Sequence, residues 1–330
     1  GPEGSSVRLT VADGASGSRR SVAITRRTFQ IPSVDAAMAE GGIGVVRIGA
    51  FSSDTARLTQ EALETFRKRP DFRGLVLDLR GNPGGYLDAA AAVASLFIEE
   101  GTLLYTVGRD GKEKPLEIRG GSRVPVPVAV LVDGNSASAS EVFAGALQDY
   151  KAAVIVGTKT YGKGSVQRLV SLETGGGLRV TVEHYKTPSR RTVEGAGIVP
   201  DIEAHRPLEA PLAAFRALGA RGAFRVELKE YETAVNGAVF SDIVPVLRRD
   251  GLAYVSSRAL AAVAGGEALW DGAKGEVRIR GKLGDAAFGP GGGLLVQNGA
   301  SYIEIGAFAK AFRGVRASVG ADAAVLEWSE

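Results

Sequence analysis

Apolar and polar residues alternate over residues 7–12 (VRLTVA) and 21–25 (SVAIT), with a Gly/Ser-rich stretch between them. A period of two around a turn-forming connection predicts a β-hairpin. Two strands alone are marginal in water, so this hairpin is expected to belong to something larger. The pattern then changes. Apolar runs at 41–51 (GGIGVVRIGAF), 74–79 (GLVLDL), 126–132 (VPVAVLV) and 153–156 (AVIV) have the length of buried strands, and segments of helical spacing, 55–68 among them, lie between. Strands alternating with helices predict an α/β core with largely parallel pairing. Alternation returns at 178–185 (LRVTVEHY), which adds a late strand.

After Pro200-Asp201 the composition shifts, and residues 209–220, rich in Ala and Arg, read as a short helix or linker. Beyond them runs an internal repeat in which 247–260 (LRRDGLAYVSSRAL) matches 295–308 (LVQNGASYIEIGAF). Asp250-Gly251 falls on Asn298-Gly299, Tyr254 on Tyr302, Val255 on Ile303, and Val277 on Val325. Asp-Gly and Asn-Gly between apolar runs signal type I′ hairpins. Each copy therefore reads as hairpin, helix, strand, and the two copies are expected to bury one another as a separate domain.

Composition removes several classes of function. The apolar fraction of 45% and charged fraction of 23% are those of a globular protein. No apolar window reaches the length of a membrane helix, and the run 89–98 is core-sized. Net charge is +3 with Lys and Arg scattered, so no nucleic-acid footprint is expected. Without cysteine there are no disulfides, thiolate metal sites or cysteine nucleophiles. With only His184 and His205, no three-histidine metal site can be built. No signal peptide is apparent, and the chain reads as starting inside a domain, although Gly1-Pro2 also fits an expression scar.

Three segments could carry chemistry. The stretch 78–85 (DLRGNPGG) follows a strand, and Gly84 and Gly85 can expose N–H groups with no side chain in the way, as an oxyanion hole requires. Read alone, a tight strand-to-helix turn fits it better. The stretch 134–141 (GNSASASE) places small residues at a strand-to-helix junction, where a hydroxyl can sit near a helix N-terminus. Read alone, it is a Ser-rich N-cap supplied by Ser140 or Ser138. The stretch 160–167 (TYGKGSVQ) sets Lys163 between two glycines with Gln167 beyond; it lacks the spacing of a phosphate loop, and alone it is a loop bearing a surface lysine. Together they favour chemistry. A serine nucleophile needs a base, His184 lies in a strand that suggests packing, and His205 lies in the linker. Lysine can replace histidine where burial disfavours its charge. Gln167 could then orient the amine without adding charge.

From residue 42 to 201 the chain closely resembles the carboxyl-terminal processing (tail-specific) serine peptidases. The matching stretches, in the family's order, are GVVRI, LVLDLRGNPGGYLDAA, VLVDGNSASASEVFAGALQDY, GTKTYGKGSVQ and YKTPSRRTVEGAGIVPD. The resemblance implies Ser138 as nucleophile, Lys163 as general base and Gln167 as the residue orienting it. It implies an oxyanion hole of the Gly84 and Ala139 N–H groups, with Gly85 the neighbouring possibility, and no cofactor. Ser136 and Ser140 do not match the nucleophile position, and Asp78 and Arg80 are assigned to holding the turn. The implied fold is a crotonase/ClpP-like α/β protease core. The start resembles the second half of a PDZ domain, a module that adds a peptide as an extra strand. The segment from Phe224, with Trp270-Asp271-Gly272, resembles the copper amine oxidase N-terminal-like domains of bacterial envelope proteins; no metal cluster is apparent, and an interaction or anchoring role is expected. The expected division is 1–30 PDZ remnant, 31–204 protease core, 205–223 linker and 224–330 repeat domain. The resemblance further implies protein or peptide substrates with apolar C-termini, an extracytoplasmic location in periplasm or cell envelope, an envelope partner for the last domain, and homo-oligomers. Two rivals stay open: a crotonase-type acyl-CoA enzyme, which would carry carboxylates in place of the serine and lysine, and a non-catalytic scaffold, against which the intact Ser138, Lys163 and Gln167 argue.

Overall fold

The computed structural model describes residues 1–13, 16–28, 32–220 and 222–329. Residues 1–32 and 33–330 form two compact units. The first holds β1 (Ser6–Ala12) and β2 (Arg19–Thr25), paired antiparallel from Ser6↔Thr25 to Ala12↔Arg19. This is the hairpin that the alternation predicts. Part of its connection, Gly14-Ala15, and the expected boundary at 30/31 lie outside the described residues.

The second unit opens with β3 (Val34–Ala39), β4 (Ile43–Ile48), α1 (Thr55–Arg67), β5 (Gly74–Asp78), α2 (Leu87–Ala94), β6 (Gly101–Val107), β7 (Glu113–Ile118), β8 (Val128–Val132), α3 (Ala139–Asp149), β9 (Val154–Gly157), β10 (Ser165–Ser171), β11 (Gly177–Lys186) and β12 (Ile202–Glu203). Six of these strands make one sheet in the order β12-β9-β8-β5-β4-β3. All neighbours are parallel except β3, which joins the edge antiparallel to β4. The parallel pairing follows from crossovers long enough to hold a helix. Strands β10, β11, β6 and β7 form a second, antiparallel sheet in that order. Strands β3, β6, β7 and β10 carry weaker patterns than the central runs; β7 contains Pro115, which an edge strand tolerates.

Side chains of the central sheet alternate between two cores. Val46, Ile48, Leu75, Leu77, Val130, Val132 and Ile155 pack with α1, α2 and α3 through Leu63, Phe66, Val93, Phe143 and Leu147. Ile43, Val45, Val76, Ala129, Leu131 and Val156 face the other side, where α4 (Glu209–Ala217) lies. Burial on both faces is why these strands read as continuous apolar runs.

Packing does not stop at the boundary expected near residue 224. Strands β13 (Ala223–Leu228), β14 (Thr233–Val235) and β15 (Ala238–Phe240) are followed by β16 (Val246–Arg249), β17 (Leu252–Ser256), α5 (Ser257–Val263), β18 (Glu267–Asp271), β19 (Glu276–Gly281), β20 (Gly284–Phe288), β21 (Leu294–Gln297), β22 (Ala300–Glu304), α6 (Ile305–Ala311), β23 (Arg316–Val319) and β24 (Ala324–Ser329). Phe215, Phe224, Val226, Leu326 and Trp328 belong to the same core as Ile43, Val76 and Leu131. The Glu40 N–H also donates to the Asn236 carbonyl at 2.7 Å. The C-terminal segment is thus part of the covering of the central sheet. Within it the repeat appears as expected, with β17 and β22 paired antiparallel so that Val255 meets Ile303. Both Asp250-Gly251 and Asn298-Gly299 have positive φ, as type I′ turns require.

Candidate active site

The site lies where the loops after β4, β5, β8 and β9 meet, at the carboxyl ends of the parallel strands. That is where open α/β sheets form their binding crevices. β8 is buried throughout, and six residues after its end Ser138 takes φ 56°, ψ −116°, at the N-cap position of α3. A non-glycine residue held at positive φ is strained, and such strain concentrates at functional sites. The turn holds Ser138 half-buried, while Ser136 and Ser140 on either side are fully buried. Ser136 Oγ donates to the Leu79 carbonyl at 2.8 Å, and Ser140 Oγ to the Asn82 carbonyl at 3.0 Å. Both flanking hydroxyls are thus engaged in holding the 78–85 turn. The N-cap reading describes the position of Ser138, and the same strand-to-helix turn leaves room for the nucleophile reading.

Gly84 and Gly85 sit directly against this segment, with φ of 103° and 147°. A Cβ on Gly84 would lie 2.7 Å from the Ala137 carbonyl oxygen and 2.9 Å from the Ala139 nitrogen. On Gly85 it would lie 2.1 Å from the Phe51 carbonyl oxygen. Only glycine allows this approach. Asn82, fully buried, organises the turn: its Nδ2 donates to the Ile48 carbonyl at 2.8 Å, and its own carbonyl accepts the Ala137 N–H at 3.0 Å. Its Oδ1 accepts the Gly84 N–H at 2.8 Å. Of the N–H groups singled out from the sequence, that of Gly84 is therefore engaged in this structure. Those of Ala139 and Gly85 meet no acceptor among the described residues. The Ala139 N–H is one of the unpaired donors of a helix N-terminus.

Lys163 stands in the 158–164 loop and is half-buried. Its backbone is brought to the serine by Glu141, a side chain with no exposed surface. Glu141 Oε2 accepts the Ser138 and Lys163 N–H groups, each at 2.8 Å. Oε1 accepts the Thr160 hydroxyl at 2.6 Å and the Gly162 N–H at 2.7 Å. Four donors match the acceptor capacity of an ionised carboxylate. Tyr185 ties the same segments from β11: its hydroxyl lies 3.0 Å from the Ser138 carbonyl and 2.5 Å from that of Lys163. Burial first, then the nearby charges of Glu141 and Glu194, push the Tyr185 hydroxyl well above its ordinary range, so it stays a donor. Neither Glu141 nor Tyr185 stands out in the sequence. Glu141 three residues into a Ser-capped helix carries the capping-box signal, which is the clue available beforehand.

Gln167 is not hydrogen-bonded to the lysine here. It lies exposed on β10, just past a register shift in the pairing with β11, and its Nε2 reaches Thr181 Oγ1 at 3.5 Å. No hydrogen bond joins the Ser138 hydroxyl to the Lys163 amine among the described residues. His184, expected to pack, has an exposed side chain 3.9 Å from Glu194, and His205 is exposed 3.2 Å from Glu203. Neither histidine is hydrogen-bonded to Ser138. No cluster of metal-ligating side chains is found among the described residues.

Residues 42–204 match the model of Peptidase family S41. This chain belongs to the carboxyl-terminal processing peptidases of that family. A carboxyl-terminal-processing protease of Synechocystis sp. is 35% identical over 212 residues, 63% of this chain and 49% of that protein. Carboxyl-terminal-processing peptidase 3, chloroplastic, of Arabidopsis thaliana is 40% identical over 162 residues, 48% of this chain and 31% of that protein. A solved structure of the photosystem II D1 C-terminal processing protease is 33% identical, with a TM-score of 0.52 over 66% of this chain and 61% of that one. The chain spans about half the length of the Synechocystis relative it matches.

Proposed function

We propose that this chain is a serine endopeptidase in which Ser138 is the nucleophile and Lys163 its general base. The observation that carries the reading is the meeting of three segments around one junction. Glu141 holds the backbones of Ser138 and Lys163 on a single carboxylate oxygen, and the Gly84-Gly85 turn packs against Ser138-Ala139. In the reaction, the Lys163 amine takes the Ser138 proton as Oγ bonds to a peptide carbonyl carbon. The oxyanion is received by the Ala139 N–H together with that of Gly84 or Gly85. Lys163 returns the proton to the departing amine, leaving an acyl-enzyme, and water activated by the same lysine releases it. Gln167 serves the lysine once β10 brings it inward. The protein surrounding the dyad is the crotonase/ClpP-like core.

The substrates are C-terminal segments of extracytoplasmic or unfolded proteins, with apolar tails. The hairpin β1-β2 follows the pattern of a PDZ domain, and the C-terminal repeats follow the copper amine oxidase N-terminal-like pattern, which suits an envelope partner or homo-oligomer contacts. The named activities of the relatives support the peptidase reading; the location rests on resemblance. An unfolded model protein and a peptide with an apolar C-terminus, incubated with wild type and with Ser138→Ala and read by mass spectrometry, test it. Cleavage that survives a chelator and disappears in Ser138→Ala is the expected result. No cleavage by folded wild type, and no labelling by a serine-directed acylating reagent, would leave the non-catalytic scaffold as the better reading.

A further inference from the structure

We infer that Asp242, contributed by the C-terminal segment, is a positioning residue for the turn that carries Gly84 and Gly85. The inference rests on the peptidase reading above and assigns part of that site to a region outside residues 42–204. Arg80, four residues before Gly84, donates through Nε and Nη2 to Asp78 at 2.9 and 2.7 Å, and through Nη1 to Asp242 Oδ2 at 2.7 Å. The three side chains are nearly sealed from water, at 11% exposure for Arg80, 2% for Asp78 and 9% for Asp242. Phe240, also from the C-terminal segment, lies under the guanidinium at 5.9 Å. Burial opposes the charge on Arg80, and the two carboxylates more than offset it, so the guanidinium stays protonated.

The two partners of Arg80 have different consequences. Asp78 ends β5, two residues from Arg80, and also accepts the Arg80 N–H at 3.0 Å. It is fixed in the central sheet, paired with Arg47 of β4 and Leu131 of β8, and so ties Arg80 to the strand that leads into the turn. Asp242 is 162 residues away on separate structure, and its other oxygen accepts the Leu208 N–H at 3.2 Å. It is therefore a reference point external to the turn. The turn's other ties, from Ile48, Phe51, Asp133, Ser136 and Ser140, all come from within residues 42–204. Arg80 is its one long side chain reaching across to the C-terminal segment. The covering of the central sheet by Phe224, Val226 and Trp328 keeps that reference in place. A desolvated charge-assisted bond of this kind is geometrically demanding as well as strong, so its loss loosens Arg80 and, through four residues, the amides expected to meet the oxyanion.

The test compares wild type, Asp242→Asn and Asp242→Glu for kcat and KM on the apolar-tailed peptide, for melting, and for hydrogen exchange. Asn keeps an acceptor for the Leu208 N–H while removing the charge, and Glu restores the charge. The expected result for Asp242→Asn is a fall in kcat of about tenfold with KM changed by less than about twofold, which is a typical coupling between packed elements. Exchange over residues 79–86 rises while that over 223–240 does not, and Asp242→Glu recovers most of the kcat. An unchanged kcat in Asp242→Asn overturns the inference. So does a loss of kcat accompanied by faster exchange across 223–240 with the turn unaffected, since Asp242 would then only dock the C-terminal segment. If wild type cleaves nothing, the peptidase reading fails separately, and exchange over 79–86 still decides whether Asp242 holds the turn.

Discussion

Ser138 sits in backbone that is bonded on every side, whereas Gln167 sits on an exposed strand with one long contact to Thr181. The Ser138 side is built from β8, α3 and the Asn82 turn, packed in the core on the α1-α2-α3 face of the central sheet. The far side begins at Lys163 and runs into β10 and β11, where Leu169, Val170, Leu178, Val180 and Val182 are all exposed, as is Leu172 in the turn between them. Apolar alternation in β11 thus does not mark a buried face, contrary to the ordinary meaning of such a pattern. The contrast teaches that the geometry of the Ser138 and Gly84 segments is set by burial, while the arrangement of Gln167 is set by a sheet with little burial to hold it. Glu141 is the hinge between the two, since it bonds the serine segment and the lysine loop at once.

That contrast can be broken most severely at Glu141. Glu141→Ala strands three backbone N–H groups and the Thr160 hydroxyl in the interior, and each buried unsatisfied group costs about 1–3 kcal/mol. The expected outcome is loss of peptidase activity with destabilisation of about 3 kcal/mol or more by urea unfolding, more than any substitution at the exposed positions of β10 and β11 produces. Gly84→Ala comes next. Its Cβ meets the Ala137 carbonyl and its φ of 103° disfavours any side chain. A fall in kcat of about a hundredfold is expected from the displaced oxyanion donors, and kcat within threefold of wild type would show that the turn can shift without consequence.

A smaller effect sharpens the comparison on the exposed side. Gln167→Ala should leave the melting temperature and urea midpoint almost unchanged, within about 0.5 kcal/mol, because the residue is exposed. If Gln167 serves Lys163 in the working state, kcat falls all the same; activity equal to wild type would remove it from the mechanism. The smallest effect concerns acid. Burial raises the Asp149 carboxyl, but bonds from Thr187 and Ser189 and the charge of Arg191 outweigh it and hold it below the ordinary carboxylate range. A carboxyl depressed in the folded state contributes stability above its unfolded value of about 4, and that contribution fades as pH falls through the folded value. Asp149→Asn should therefore lower stability at neutral pH and flatten its decline in acid; parallel stability–pH curves for the two proteins would refute this.

Much of the site was legible beforehand because it lies in contiguous motifs. The segments of Gly84, Ser138 and Lys163 stood out as local patterns, their roles and that of Ala139 came from the resemblance, and the structure places these segments side by side. Glu141 and Tyr185 were not, because their role is to receive or give bonds across segments far apart in the chain. The parallel sheet was legible in four continuous apolar runs, and the repeat in its two type I′ turns. Strands β3, β6, β7 and β10 were not, since they lie at sheet edges or in the small sheet, where burial imposes a weaker pattern.

By itself the sequence determined the local chemistry: which backbone positions can take positive φ, where strands alternate with helices, and which side chains could act as nucleophile and base. Each of these depends on residue type and short-range spacing. Tertiary structure alone decided that the C-terminal repeats share a core with the protease sheet and that Asp242 reaches Arg80 across 162 positions. It also left Gln167 turned to Thr181 and gave the Gly84 N–H to Asn82. Such outcomes depend on which distant groups compete for the same donor or the same buried surface, and no local pattern records that competition.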